Sequence, residues 1–414
     1  MKVGDTMNDA ARDHGKPLDG VRVLAVEQMQ SLPYATQMLA RLGADVVKVE
    51  SPKGGDSGRG SLPAVDDPHG RPIGATFLRN NFGKRSISVD LKDPRGRDLV
   101  LELAPRFDVF CQNFRAGVID RLGLGYDHIV AVHPRVVYCS ISGFGTTLPT
   151  PYGDRPAYAP IVEAMAGLYD FRRYPDRAPL ASPLGALGDT GSALFATIGI
   201  LAALRHRDLT SMGEHVDIAM LDSMVALGDA GINYLSLGIT SGGDTPGIND
   251  AFAASDGYFV MQCGRPHMFE ALANLIGTPE WLTDPDLATG VHWRARLEDR
   301  IRPAVEAWAA HRTRAEACEA LGDAGIAAGP VQTAAEVIAD EHTAAHGMVV
   351  EFERPAGDGP PVLAVGNPVK LSNTTEGPET RMPWLGEHTD SVLHTELGFD
   401  DDTLAALRAD SVIA

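Results

Sequence analysis

Val21-Arg22-Val23-Leu24-Ala25-Val26, then residues 34–42 closed by Gly43, then Ala44-Asp45-Val46-Val47-Lys48-Val49-Glu50, decide the fold. The outer two segments are apolar and rich in valine, as buried strands require. The middle one opens near Pro33 and ends at Gly43, so it reads as a helix. Strand, helix and strand in about 30 residues make a βαβ unit, which builds a parallel sheet. The pattern continues with a strand at 86–89, a helix at 94–104 and a strand at 109–111. A short helix at 118–122 and a strand at 136–141 follow. The fold class is therefore α/β, with a doubly wound N-terminal half.

The first strand-to-helix turn reads Glu27-Gln28-Met29-Gln30-Ser31-Leu32-Pro33. It lacks G-x-G-x-x-G, which argues against a nicotinamide-dependent dehydrogenase. The chain also lacks a Walker A motif, H-E-x-x-H and G-x-S-x-G. Further on, 190–206 is apolar all round and predicts a buried helix. Residues 239–250 read as a Gly/Pro linker, and 257–263 as a strand opening a smaller α/β segment. Helices are expected at 267–276, 296–310, 314–323 and 401–409, with a turn at 325–331.

The chain has 414 residues, 36 Lys+Arg against 55 Asp+Glu, and 44% hydrophobic residues. It is long enough for two or three domains and apolar enough for a real core. Its net charge of −19 excludes nucleic-acid binding by bulk charge. Cys111, Cys139, Cys263 and Cys318 lie far apart without a C-x-x-C, which suits free thiols in a reducing cytoplasm. No apolar run reaches the ~18–20 residues of a membrane span, and the polar start does not read as a signal peptide. Residues 1–16 read as a mobile tail. Residues 41–97 form a basic island, with eleven Lys+Arg against seven Asp+Glu. Such an island on an acidic chain suits a polyanionic small ligand such as a nucleotide or coenzyme A, or else an ordinary surface of ion pairs.

Asp189 follows Gly188 and precedes the long apolar helix. It reads first as a helix N-cap. The preceding run, Pro179 to Leu187, also reads as an extended loop that would leave a small-residue pocket around a carboxylate. An ionised carboxylate attacks an activated acyl group without a base, provided water is kept out. Gln28-Met29-Gln30 and Asn113-Phe114 follow strand ends, where parallel sheets bind ligands. Ser142-Gly143-Phe144-Gly145 does too, and its glycines permit close backbone approach. Glu163 and Glu214 read as solvated helix or loop carboxylates, and His388 as structural.

These segments, with Lys48-Val49-Glu50, Gly83-Lys84-Arg85-Ser86-Ile87, Leu122-Gly123-Leu124-Gly125-Tyr126, Ala328-Gly329-Pro330-Val331 and Leu385-Gly386-Glu387-His388-Thr389, resemble the class III coenzyme A transferases of CaiB/BaiF type. The likeness spans about 17–414. It implies a large Rossmann-like domain made of N- and C-terminal parts, a smaller central α/β domain and an interlocked homodimer. The corresponding boundaries are 17–225, 226–334 and 335–414. It implies coenzyme A as cosubstrate, with no permanently bound cofactor or metal, and partners limited to an acyl-CoA, a carboxylic acid and a second copy of the chain. The catalytic aspartate falls on Asp189, passing through an anhydride and a CoA thioester. The CoA contacts fall on Met29, Gln30, Ser31, Asn113, Phe114, Arg121, Ser142 and Phe144. Ser51 stands where relatives often carry a basic residue, for which Lys53 or Arg59 would substitute. The alternatives are a 2-methylacyl-CoA racemase, whose His-Asp pair falls on Tyr158-Ala159, and a non-catalytic acyl-CoA binder. The glycine run of the formyl/oxalate enzymes is replaced by Gln262-Cys263-Gly264-Arg265-Pro266-His267. That counts against those two acids and offers Arg265 and His267 either as readers of another acid or as plain surface residues.

Overall fold

Strand β1 (Arg22–Val26) leads through helix α1 (Ser31–Arg41) to β2 (Asp45–Glu50), and Gly43 at φ 114° turns the chain between them. Four more strands complete the sheet: β3 (Arg85–Ser88), β4 (Val109–Gln112), β5 (Val137–Ser142) and β6 (Glu214–Ala219). All pairings are parallel, in the order β3-β2-β1-β4-β5-β6. The order reverses between β1 and β4, and in such sheets ligands bind at the strands' C-terminal ends beside that reversal. The final strand was not foreseen in the sequence. Its Glu-His-Val-Asp-Ile-Ala lacks the continuous apolar run of the others because it is an edge strand. The structure is a computed structural model that describes residues 1–7, 15–170, 178–179, 185–228, 230–239, 245–355, 357 and 359–414.

Alternate residues of β1 feed opposite faces, as the two-residue strand period demands. Val23 and Ala25 pack on one face with Leu32, Ala35 and Leu39 of α1 and with Ala193, Ala196 and Ile200. Leu24 and Val26 pack on the other face with Leu99, Val100 and Leu103 of the helix Pro94–Leu103, and with Val392, Leu393 and Leu404. The last three belong to the C-terminal helices Thr389–Leu397 and Asp401–Ala409. Each fully buried aliphatic side chain contributes about 1.5–3 kcal/mol, so the two faces hold the sheet between helical layers.

The chain divides into two compact units. The first comprises Met1–Tyr169, Leu180–Gly228 and Glu341–Ala414, and the second Asp170–Pro179 and Asp229–Asp340. The first seven residues, expected within a tail, are bound in the first unit: Val3 N–H donates to Glu351 O at 3.1 Å and Met7 N–H to Glu376 O at 2.7 Å. In the second unit, Ile248–Ala254, Gly257–Cys263 and Ala327–Pro330 form an antiparallel sheet over Phe269, Trp281 and Trp293. The segment expected as a turn at 325–331 is thus largely a strand: its Gly329-Pro330 pair lies at a sheet edge, where a missing N–H is tolerated. Of the expected linker, 240–244 lie outside the described residues, and the strand has begun by Ile248.

The long helix runs over Leu187–Thr210 and packs on α1, β5 and β6. Contrary to the expectation that no segment reaches a membrane span, it is apolar and long enough to cross one by length and composition alone. It is not buried all round. Leu194 is 48% and Ile198 61% exposed.

Candidate active site

The turn between β1 and α1 is clamped from three sides. Met29 sits at φ 64°, a left-handed conformation that needs support in a non-glycine residue. Its N–H donates to Asp56 Oδ1 at 2.9 Å. Gln28 N–H donates to Asn113 Oδ1 at 2.9 Å, and Asn113 Nδ2 donates to Gln28 O at 2.8 Å and Ser31 Oγ at 3.1 Å. Beneath the turn lies a buried group of three cations and three anions. Lys48 Nζ is 2.8 Å from Asp56 Oδ2, Lys84 Nζ 2.7 Å from Glu27 Oε1, and Arg59 is bidentate to Glu50 at 2.7 Å on both branches. The charges are equal in number and each ion has an opposite partner, yet burial still outweighs the partners at Lys84 and pulls its ammonium down to about 8.

Above the turn opens a cavity of about 420 Å³. Met29, Gln30, Ser31, Asn113, Phe114, Ser142 and Phe144 all line it, as does Asp189. Asn113 serves the turn with its whole amide, so it shapes the cavity wall. A second cavity of about 230 Å³ adjoins at Gln28 and Phe114 and is lined by Ser51 and Lys92. Two expected CoA contacts, Arg121 and Lys53, are not among the residues that line the cavities. Lys53 points into solvent with 81% of its side chain exposed and meets Asp90 at 3.7 Å. Arg59 is bound bidentately to Glu50, while Asp90, the partner of Lys53, lines the second cavity. Arg265 and His267 are exposed residues of the second unit, and His388 accepts Ser86 N–H on Nδ1 at 3.3 Å, a structural contact.

Asp189 is the third residue of its helix, not the N-cap. The cap is Ala186, with no side-chain cap bond. Among the described residues, the Asp189 carboxyl has no hydrogen-bond or ion-pair partner. The loop expected in front of it lies partly outside the described residues, at 180–184. Burial pushes the Asp189 carboxyl up to about 6, the charge of Glu163 adds to the shift, and Arg79 pulls it back. At pH 7 it is still about nine-tenths ionised.

Glu163, read as solvated, is fully buried. Its Oε1 accepts Gly188 N–H at 2.8 Å and its Oε2 accepts the Tyr169 hydroxyl. It thus supplies the side-chain bond to the helix start that Asp189 was expected to make. The signal was a lone acid inside the apolar run Pro160-Ile161-Val162-Glu163-Ala164-Met165. A Cβ on Gly188 would meet Ala159 Cα at 2.8 Å, so glycine is what lets the two helices approach here. Asp217, also unforeseen, accepts the N–H groups of Thr146 and Thr147 at 2.6 and 2.8 Å and the Ser140 hydroxyl at 2.7 Å. This fixes the loop after Ser142.

The family described as CoA-transferase family III matches residues 18–389. The formyl-CoA:oxalate CoA-transferase of Streptomyces avermitilis is 36% identical, covering 96% of this chain and 100% of its own. That of Bradyrhizobium sp. (strain ORS 278) is 34% identical, covering 95% and 96%. A crystal structure of a CAIB/BAIF family protein from Brucella suis superposes with a TM-score of 0.80 at 33% identity, covering 92% of this chain and 100% of that one. Rv3272 from M. tuberculosis gives 0.76 at 29%, covering 91% and 99%.

Proposed function

The chain belongs to CoA-transferase family III and is a CoA-transferase, and on that premise we propose that it moves coenzyme A from an acyl-CoA to a carboxylic acid through covalent intermediates on Asp189. One observation carries this reading: a carboxyl without partners among the described residues stands in a cavity walled by the clamped β1–α1 turn.

Asp189 Oδ attacks the donor thioester carbonyl, the C–S bond breaks, and the CoA thiolate leaves an aspartyl–acyl anhydride. The thiolate then attacks the Asp189 carbonyl, expelling the donor acid as its carboxylate and leaving an aspartyl–CoA thioester. The acceptor carboxylate attacks that carbonyl and displaces the thiolate, giving a second anhydride. Attack of the thiolate on the acceptor's acyl carbon yields the new acyl-CoA and regenerates the Asp189 carboxylate. Each step exchanges one acyl bond for another with no net proton transfer. Lys92, in the adjoining cavity, is the cation we assign to the CoA phosphates in place of Lys53. Met29, Gln30, Ser31, Phe114, Ser142 and Phe144 form the walls along which the pantetheine arm reaches Asp189.

The exposed Leu194 and Ile198 on the long helix support a further element of the reading, the interlocked homodimer, in which a second copy covers them. Four free cysteines, three of them buried, suit a cytoplasmic enzyme. Formyl-CoA and oxalate, the substrates in the relatives' name, are the first pair to assay.

The test is to incubate the chain with acetyl-CoA, succinyl-CoA or formyl-CoA in turn, quench with hydroxylamine and map modified peptides by mass spectrometry. A hydroxamate on Asp189, lost in Asp189→Ala, is expected. No label with any donor overturns the covalent mechanism. If heavy water then exchanges the α-proton of a 2-methylacyl-CoA, the isomerase reading takes its place.

A further inference from the structure

The basic island at 41–97 holds eleven cations, and nine of them lie within 4 Å of a carboxylate. Among the described residues, Arg79 and Lys92 are the two that do not. Lys92 faces the smaller cavity and Arg79 the larger. Arg79 lies in the last turn of the helix Ala75–Asn80 and is exposed. Its guanidinium donates one N–H to Gln30 Oε1, and its charge acts on Asp189. An arginine carries five N–H donors in a planar fork that matches a carboxylate. The remaining donors therefore have no protein acceptor among the described residues.

We propose that Arg79 is the specificity-determining residue of this site, and that it holds the second, unreacting carboxylate of a dicarboxylic acid while the first meets Asp189. The inference rests on the transferase reading and names its acid. The reacting carboxylate loses its charge as it joins the Asp189 carbonyl, so it needs no lasting counterion. A second carboxylate stays charged. It enters a cavity that already holds Asp189, with the buried Glu163 carboxylate behind it. A further anion there is unfavourable unless a cation receives it, and the open fork of Arg79 does so bidentately. A monocarboxylic acid of the same length leaves that fork without its partner. The CoA phosphates do not compete for Arg79, because the pantetheine arm separates them from the thioester that must reach Asp189.

Direct binding tests this without relying on turnover. Titrate the full chain, in the presence of free coenzyme A, with malonate, succinate and glutarate, and with propionate, butyrate and valerate, by calorimetry. The expected result is a preference for each diacid over its matched monoacid on the order of 10- to 100-fold. Arg79→Gln removes that preference, while Arg79→Lys, which keeps the charge without the fork, restores part of it. Asp189→Asn keeps the preference, since it leaves the fork in place. The two claims fail separately: absence of the hydroxamate label in the unaltered chain defeats the covalent mechanism, and loss of the diacid preference in Asp189→Asn defeats the role of Arg79. Equal binding of the two series, no binding of either, or a preference that persists in a folded Arg79→Gln chain overturns the proposal.

Discussion

Asp189 is kept away from the ordinary chemistry of a surface carboxylate. A position in the first helical turn favours the anion, yet burial and Glu163 outweigh that and raise the carboxyl to about 6. Only the anion attacks, so the rate of CoA release in a single turnover should fall by half near pH 6 and tenfold for each further unit of acid. Stopped-flow release of thiol from acetyl-CoA between pH 4.5 and 8 measures this. Glu163→Gln keeps an acceptor for Gly188 N–H but removes the neighbouring charge. Its midpoint should move down yet stay above the usual ~3.9, because burial, the larger cause, is untouched. Stability follows with a definite sign. The folded carboxyl titrates above the unfolded one, so the folded chain holds more protons between about pH 4 and 6 and loses stability as pH rises through that window. Asp189→Asn should therefore stabilise the protein at pH 7.5 by up to about 3 kcal/mol and leave it unchanged at pH 4, as thermal melts at the two values would show.

The β1–α1 turn belongs to the scale of elements. Asn113, on the neighbouring strand's exit, holds both the N–H and the C=O of Gln28. Asn113→Ala leaves those groups unpaired at a cost of about 1–3 kcal/mol, and should raise KM for acyl-CoA about tenfold while kcat changes less. Steady-state kinetics with the best donor of the trapping experiment checks it. At the other wall, Gly188→Ala sets a methyl against Ala159 and forces two helices apart. It should cost about 1–3 kcal/mol in urea unfolding and lower kcat, since Asp189 is the next residue. The βαβ start and the cavity's location were legible because continuous apolar runs mark buried strands and because Pro33 and Gly43 mark the two ends of the helix between them. Strand β6 was not, because an edge strand has no continuous apolar signature. Glu163 and Arg79 were not, because whether a charge is paired depends on residues far along the chain. The charge count in the basic island was correct, but nine of its eleven cations turn out to be engaged with the protein's own acids.

For the whole molecule, the exposed face of the long helix is the feature that asks for a partner. Leu194 and Ile198 lie one helical turn apart, and the same helix carries Asp189 at its start. Wild type should sediment at twice the chain mass, and Ile198→Asp should shift it toward the monomer in analytical ultracentrifugation. Sedimentation of the unaltered chain as a monomer at micromolar concentration would remove the homodimer from the reading.

The chain carries 55 Asp and Glu residues, and burial holds Asp189 protonated to a higher pH than an ordinary carboxyl. Water-soluble carbodiimides activate the protonated acid. In a mildly acidic buffer, a brief exposure to such a reagent with a small amine should therefore modify position 189 early. That gives a chemical tag on the cavity before any substrate has been identified.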